Sequence, residues 1–180
     1  MSKWKIDPAH SSVEFSVKHF GVSWIKGRFG KVKGAAEFEP ENPEAASVQA
    51  EIQADSIWTA DEGRDKHLRS ADFFDAEKYP LIIFKSAEVE KSGAEAYKIK
   101  GELTMRGAAR PVVLDAQFLG AREIPDEKGK APVARAGVVA KTIINRHDFG
   151  VSWDAPAGEG ATTAGAEVEV VLNMELVREI

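Results

Sequence analysis

Arg64-Asp65-Lys66-His67-Leu68-Arg69-Ser70-Ala71-Asp72-Phe73-Phe74-Asp75-Ala76-Glu77-Lys78-Tyr79-Pro80 interrupts a chain that otherwise alternates like β-strand. Charge and a histidine crowd its first half, and two phenylalanines follow. Thr59 and Glu62 have capping-box spacing, which predicts a helix starting just ahead of it. On that helix Arg64, His67, Leu68, Ala71 and Phe74 would share one face. Pro80 forces Tyr79 into an extended shape, so a strand resumes there. The helix is therefore an insert in a β protein.

On both sides of the insert the period is two. Val13, Phe15, Val17 and His19 alternate with Ser12, Glu14, Ser16 and Lys18. Trp24 to Glu39 carries Gly27, Gly30 and Gly34, which suits one long strand that bends. Pro40 to Pro43 reads as a turn. Val48, Ala50, Ile52, Ala54, Ser56 and Trp58 form one face of the next strand. After the insert come Leu81 to Val89, then Tyr97, Ile99, Leu103 and Met105 with Gly101 in their row, then Val112, Leu114, Ala116 and Phe118. Ile124 to Lys130 reads as a charged loop. Ala134, Ala136, Val138, Ala140, Thr142 and Ile144 make a row of mostly small residues. Asn145 to Gly165 is irregular, as a functional rim would be, and begins with a short helical insert near 145–149. Val168, Val170, Leu172, Met174 and Leu176 close the chain. About eight long strands joined by short turns predict an all-β, antiparallel up-and-down barrel. The period excludes a helix bundle, and helices do not alternate with strands as a parallel α/β fold requires. With neither repeat nor linker, residues 1–180 are expected to form one domain.

The composition is that of a soluble globular chain, 43% hydrophobic and 29% charged. There is no cysteine, which removes disulfides and thiolate chemistry. The net charge is -5 and the basic residues are scattered, so neither nucleic acid nor an anionic lipid surface is the expected partner. No window approaches the ~20 apolar residues of a membrane-spanning helix. Met1 to Asp7 runs directly into strand-like sequence with no apolar leader, so a cytoplasmic location is expected.

Several pieces, in order along the whole chain, carry a resemblance. They are Trp4-x-Ile6-Asp7-x-x-His10-Ser11, Phe15-x-x-Lys18-His19, Gly27-x-Phe29, Asp55-Ser56-Ile57-x-Thr59 and the Arg64 to Asp75 block. Tyr79-Pro80-x-x-x-Phe84-x-Ser86, Gly101-x-Leu103-x-x-x-Gly107, Pro111-Val112 and Arg146-x-Asp148-Phe149-Gly150 follow. The sequence resembles the YceI-like family of bacterial polyisoprenoid-binding proteins. The resemblance implies an extended lipocalin-like barrel with an apolar tunnel, an isoprenoid ligand such as a polyprenyl lipid or a quinone tail, and a homodimer. Many relatives are exported. The loop from Ser152 to Gly165 resembles a branch that is not.

A barrel of about eight strands can hold one small ligand or be filled by its own side chains. Here the inward rows mix bulky and small residues, which leaves room along the axis. The expected tunnel lining is Val13, Phe15, Val17, His19, Trp24, Phe29, Ala54, Trp58, Phe84, Leu103, Met105, Phe118, Ala136, Val138, Ala140 and Leu172. His19 is either a hydrogen-bonded core residue or a contact for a polar head group. Asp7, His10, Arg64, Asp65, His67 and Arg69 form either a structural network or a polar mouth. No Gly-x-Ser-x-Gly, phosphate loop or HExxH motif is present, and the histidines do not fall at metal spacings. No catalytic residue, metal or required cofactor is expected; the bound group would be a polyisoprenoid-type lipid. The alternative is an enzyme for a small apolar substrate, with His19 or His67 as acid or base beside an aspartate. Trp24, Trp58 and Trp153 are expected to be apolar fillers, since a nucleic-acid stacking platform does not suit the negative charge.

Overall fold

A computed structural model describes residues 1–125, 132–155, 158 and 162–179. Residues 126–130 of the charged loop expected over 124–130, and Pro156 and Gly160 of the irregular rim, lie outside them. The alternating segments form β1 (Ser2–Ile6), β2 (Ser12–His19), β3 (Ser23–Phe29), β4 (Val32–Glu39), β5 (Asn42–Gln53) and β6 (Ile57–Trp58). After the helix α1 (Glu62–Arg69) come β7 (Leu81–Lys91), β8 (Ala96–Met105), β9 (Ala108–Ile124), β10 (Val133–Asn145) and β11 (Ala164–Arg178). Every ladder is antiparallel, and β1-β4-β5-β7-β8-β9-β10-β11 closes on itself through β1 and β11 into an eight-stranded barrel.

The β2–β3 hairpin extends two walls of that barrel. Ile6 of β1 faces Leu176 of β11, and Ser12 of β2 faces Asn173 further along the same strand. So β1 and β2 occupy one wall position in succession. β4 and β3 occupy the next, pairing with β1 and β2 respectively. The segment Trp24 to Glu39, expected as one bent strand, is therefore two. The break at Gly30-Lys31 is held by Ser56, whose carbonyl accepts from the Gly30 N–H at 3.0 Å and whose Oγ accepts from the Lys31 N–H at 3.1 Å.

Strand phase changes at a second break. A 3-10 turn over Ala54–Ser56 interrupts the row that began at Val48. The extra residues reverse the side to which β6 points, because side chains alternate with period two. Ile57 is 1% exposed and Trp58 51% exposed, the opposite of the expected alternation. Trp24 also lies outside: it faces Lys18 in the ladder, while its neighbours Ile25, Gly27 and Phe29 take the inner side.

One end of the barrel is filled. Trp4 stacks on Phe38 with ring centroids 4.9 Å apart, and Phe38 meets Phe118 edge-on at 6.0 Å. Ala134, Ala136 and Leu176 are buried in the same cluster. The other end carries the β2–β3 turn, α1, the β8–β9 turn and the segment after β10. α1 begins two residues later than the capping-box spacing implies. Asp61 is the N-cap, accepting from the Arg64 N–H at 2.8 Å, so Thr59 does not cap. The helix stops before Ala71, which is exposed. A 3-10 turn at Arg146–Phe149 supplies the second short helical piece. Among the described residues no helix is long and apolar enough to cross a membrane.

Candidate functional site

Above the filled end lies a cavity of about 430 Å³. Most of its wall comes from the inward rows read in the sequence. Val13, Phe15, Val17 and His19 of β2 border it, with Phe29, Phe84, Leu103, Met105, Val138, Ala140 and Leu172. Ile144 and Thr142 continue the β10 row, and Val168, Val170, Met174 and Leu176 the β11 row.

Five residues expected in the lining are elsewhere. Trp24 and Trp58 lie on the outer surface because of strand phase, as described above. Ala54 is buried in the 3-10 turn. Phe118 and Ala136 point inward but pack into the aromatic floor, below the empty space. Their rows run the full length of the barrel, whereas the cavity does not.

The polar set divides into two places. Asp7 and His10 sit at the break between β1 and β2 and do not border the cavity, so they belong to no mouth. Arg135 Nη1 donates to Asp7 Oδ2 at 2.9 Å and also pairs with Glu175, and His10 Nδ1 lies 2.9 Å from Asp7 Oδ2. The hydrogen bond from His10, then that from Arg135, holds the Asp7 carboxyl at about 2, below its ordinary 3.8. Ligand atoms of Asp7, His10 and Glu175 lie within 4.8 Å of one another. Arg135 already supplies the positive charge those carboxylates need, so this is an ion-pair network pinning the strand break.

Around α1 the cavity wall turns polar. Asp65, 4% exposed, accepts from the Thr59 N–H at 2.8 Å and from Thr59 Oγ1 at 2.5 Å. Arg64 donates from Nε to Thr59 Oγ1 at 2.7 Å and from Nη2 to the Thr59 carbonyl at 2.6 Å. Arg69 ties the helix to the 3-10 turn through the carbonyls of Asp55 and Ile57 and does not reach the cavity. Asp65 and Arg69 are thus structural, while Arg64 and His67 border the empty space. His67 lies edge-on to Phe73 and Trp153, with Nε2 2.8 Å from Asp72 Oδ2.

Arg146 is a cavity residue that the sequence reading named only as part of a motif and did not place in the lining. It is 5% exposed and donates to the carbonyls of Val151, Trp153, Ala164 and Gly165. Among the described residues it makes no ion pair. Burial lowers its guanidinium below the usual arginine value, and the Asp154 charge works against that shift. The motif it shares with Asp148 and Phe149 was legible, but nothing local says that the arginine folds back under the rim. Thr59, Leu68, Phe73, Phe74, Trp153 and Thr163 also border the cavity, so the helix face and the irregular rim both contribute.

A cavity with a hydrocarbon wall and a few polar groups at one end can take an amphiphile without covalent chemistry. Comparison with known proteins agrees with that architecture. A family model described as the YceI-like domain matches residues 4–176. A UPF0312 protein of Pectobacterium carotovorum subsp. carotovorum is 38% identical over 178 residues, covering 98% of this chain and 86% of that one. The crystal structure of Burkholderia cenocepacia BcnA superposes with a TM-score of 0.79 at 22% identity, covering 94% of this chain and 98% of that one. A polyisoprenoid binding domain from Saccharophagus degradans, implicated in plant cell wall breakdown, gives a TM-score of 0.70 at 13% identity, covering 99% and 100%. These two structural likenesses concern the fold. The matched span and the 38% identity settle the family: the chain belongs to the YceI-like family.

Proposed function

We propose that the barrel binds a polyisoprenoid or a similar long-chain amphiphile, such as a polyprenyl lipid or a quinone tail, as a carrier, store or sequestering protein. The observation that carries this is the cavity itself: about 430 Å³, walled mainly by Val, Ile, Leu, Phe and Met side chains. That volume lies within the range of small-molecule sites, which is roughly 300–1,000 Å³. A branched hydrocarbon chain gains about 0.8 kcal/mol per buried CH₂, so a few five-carbon units give on the order of 10 kcal/mol before ordering costs. The polar end at Thr59, Arg64, His67 and Arg146 orients the head group. The Saccharophagus degradans domain, described as polyisoprenoid binding, has the same barrel.

Native mass spectrometry of the purified protein, followed by organic extraction, tests this. A non-covalent adduct that extracts as a prenyl lipid or another long-chain amphiphile is expected. Protein that is empty and indifferent to added polyprenyl lipids would overturn the assignment.

A further inference from the structure

The outer face of the β2–β3 hairpin sets aromatic rings among cations. Trp24 is 47% exposed and Trp58 51%. Lys18 Nζ lies 5.5 Å from the centroid of the Trp24 ring, and the Arg28 guanidinium carbon 4.9 Å from that of Trp58. Lys26 is exposed between Trp24 and Arg28 on the same side of β3. At the hairpin tip Phe20 is 43% exposed and Val22 86%. Phe20 holds a left-handed backbone at φ 52°, which bulky residues rarely adopt. Lys18 and His19, directly before that tip, border the cavity.

Scattered exposed apolar residues need no explanation. Here Trp24, Phe20, Val22 and three cations of the hairpin adjoin Trp58 of the neighbouring β6. Tryptophan settles at the head-group level of a bilayer, and apolar tips enter the acyl boundary. Lys and Arg are drawn to anionic lipid. Glu14 lies opposite Arg28 in the ladder. Glu167 and Glu169, exposed on neighbouring β11, mark the border of the face. With a net charge of -5 the rest of the molecule is repelled by an anionic surface, so attraction through this face also sets the orientation.

We propose that the β2–β3 hairpin docks the barrel onto an anionic phospholipid bilayer, tip first, placing the Lys18–His19 edge of the cavity against the lipid. The scattered charge seen in the sequence hides this, because the patch forms only when β6 brings Trp58 beside Arg28. The docking is independent of which guest the cavity holds.

The 180-residue chain is tested for co-sedimentation with phosphatidylcholine vesicles with and without phosphatidylglycerol. Binding to the anionic vesicles, with a blue shift of tryptophan emission, is expected. It should weaken about tenfold or more at ~0.5 M salt, where screening is strong. The double variants K26E/R28E and F20E/V22E should each lower binding about tenfold or more. Far-UV circular dichroism and the thermal midpoint report that they remain folded. Three results would overturn the proposal: no vesicle binding, equal binding to neutral and anionic vesicles, or variants that fold and bind as the parent does. A fourth is a homodimer that these substitutions dissociate while vesicle binding stays constant, which would assign the face to a second copy.

Discussion

Trp4 Nε1 donates to the carbonyl oxygen of Phe38 at 3.2 Å while the two rings stack 4.9 Å apart. Trp4 is 0% exposed, so this pair from neighbouring strands is the floor on which the cavity stands. Trp4→Ala removes the stacked ring and opens a void in the filled end. A loss of about 3–5 kcal/mol is expected. Urea denaturation measures it, and a midpoint near that of the parent would show that the floor relaxes around the gap.

Ala136 and Ala140 stand on the same side of β10 yet should respond differently to enlargement. Ala140 borders the cavity, whereas Ala136 is packed in the floor. Ala140→Phe would put a ring into the empty space and abolish uptake of a polyprenyl lipid with little change in stability. Ala136→Phe would overpack the floor at a cost of about 1–3 kcal/mol while uptake persists. Titration with a polyprenyl lipid, followed by tryptophan emission, separates the two. Equal loss of uptake in both would mean that the guest reaches the floor.

Asp7 makes stability depend on acid. Its carboxyl is held at about 2, below the ordinary 3.8, first by His10 and then by Arg135. A depressed folded-state pKa stabilises above the unfolded value and ceases to do so as pH falls through the folded one. The contribution is therefore whole above about pH 4 and disappears toward pH 2. Asp7→Asn should flatten the stability profile across that window. Thermal midpoints measured from pH 5 downward test it, and a slope unchanged from the parent would refute it.

Asp65 holds Thr59 from behind and does not itself border the cavity. Asp65→Ala leaves the Thr59 N–H and hydroxyl without their acceptor in a site where Thr59 is 3% exposed. A loss of about 1–3 kcal/mol is expected. Chemical denaturation reads the loss, and lipid binding by the fraction that remains folded should be unchanged. Binding lost in folded protein would place Asp65 in the site after all.

Much of the wall was legible because a barrel strand exposes its inner face through period-two alternation. Val13, Phe15 and Val17, or Val168, Val170 and Leu172, need no distant partner to be recognised. Trp24 and Trp58 were misplaced because phase is lost at breaks. The Ala54–Ser56 turn reverses β6, and Ser56 secures a second break at Gly30-Lys31, 25 positions away in sequence for its hydroxyl contact. The grouping of Asp7 and His10 with the helix residues failed for a similar reason, since their partner Arg135 is 128 positions from Asp7.

From its residues alone this protein was determined to be an antiparallel barrel with a helical insert and a hollow-prone row of alanines, because alternation, helix face and side-chain volume are local properties. Tertiary structure decided where the hollow ends, which arginines line it and which tryptophans face outward. Those depend on strand registers and on contacts between segments far apart in the chain, which no local period encodes.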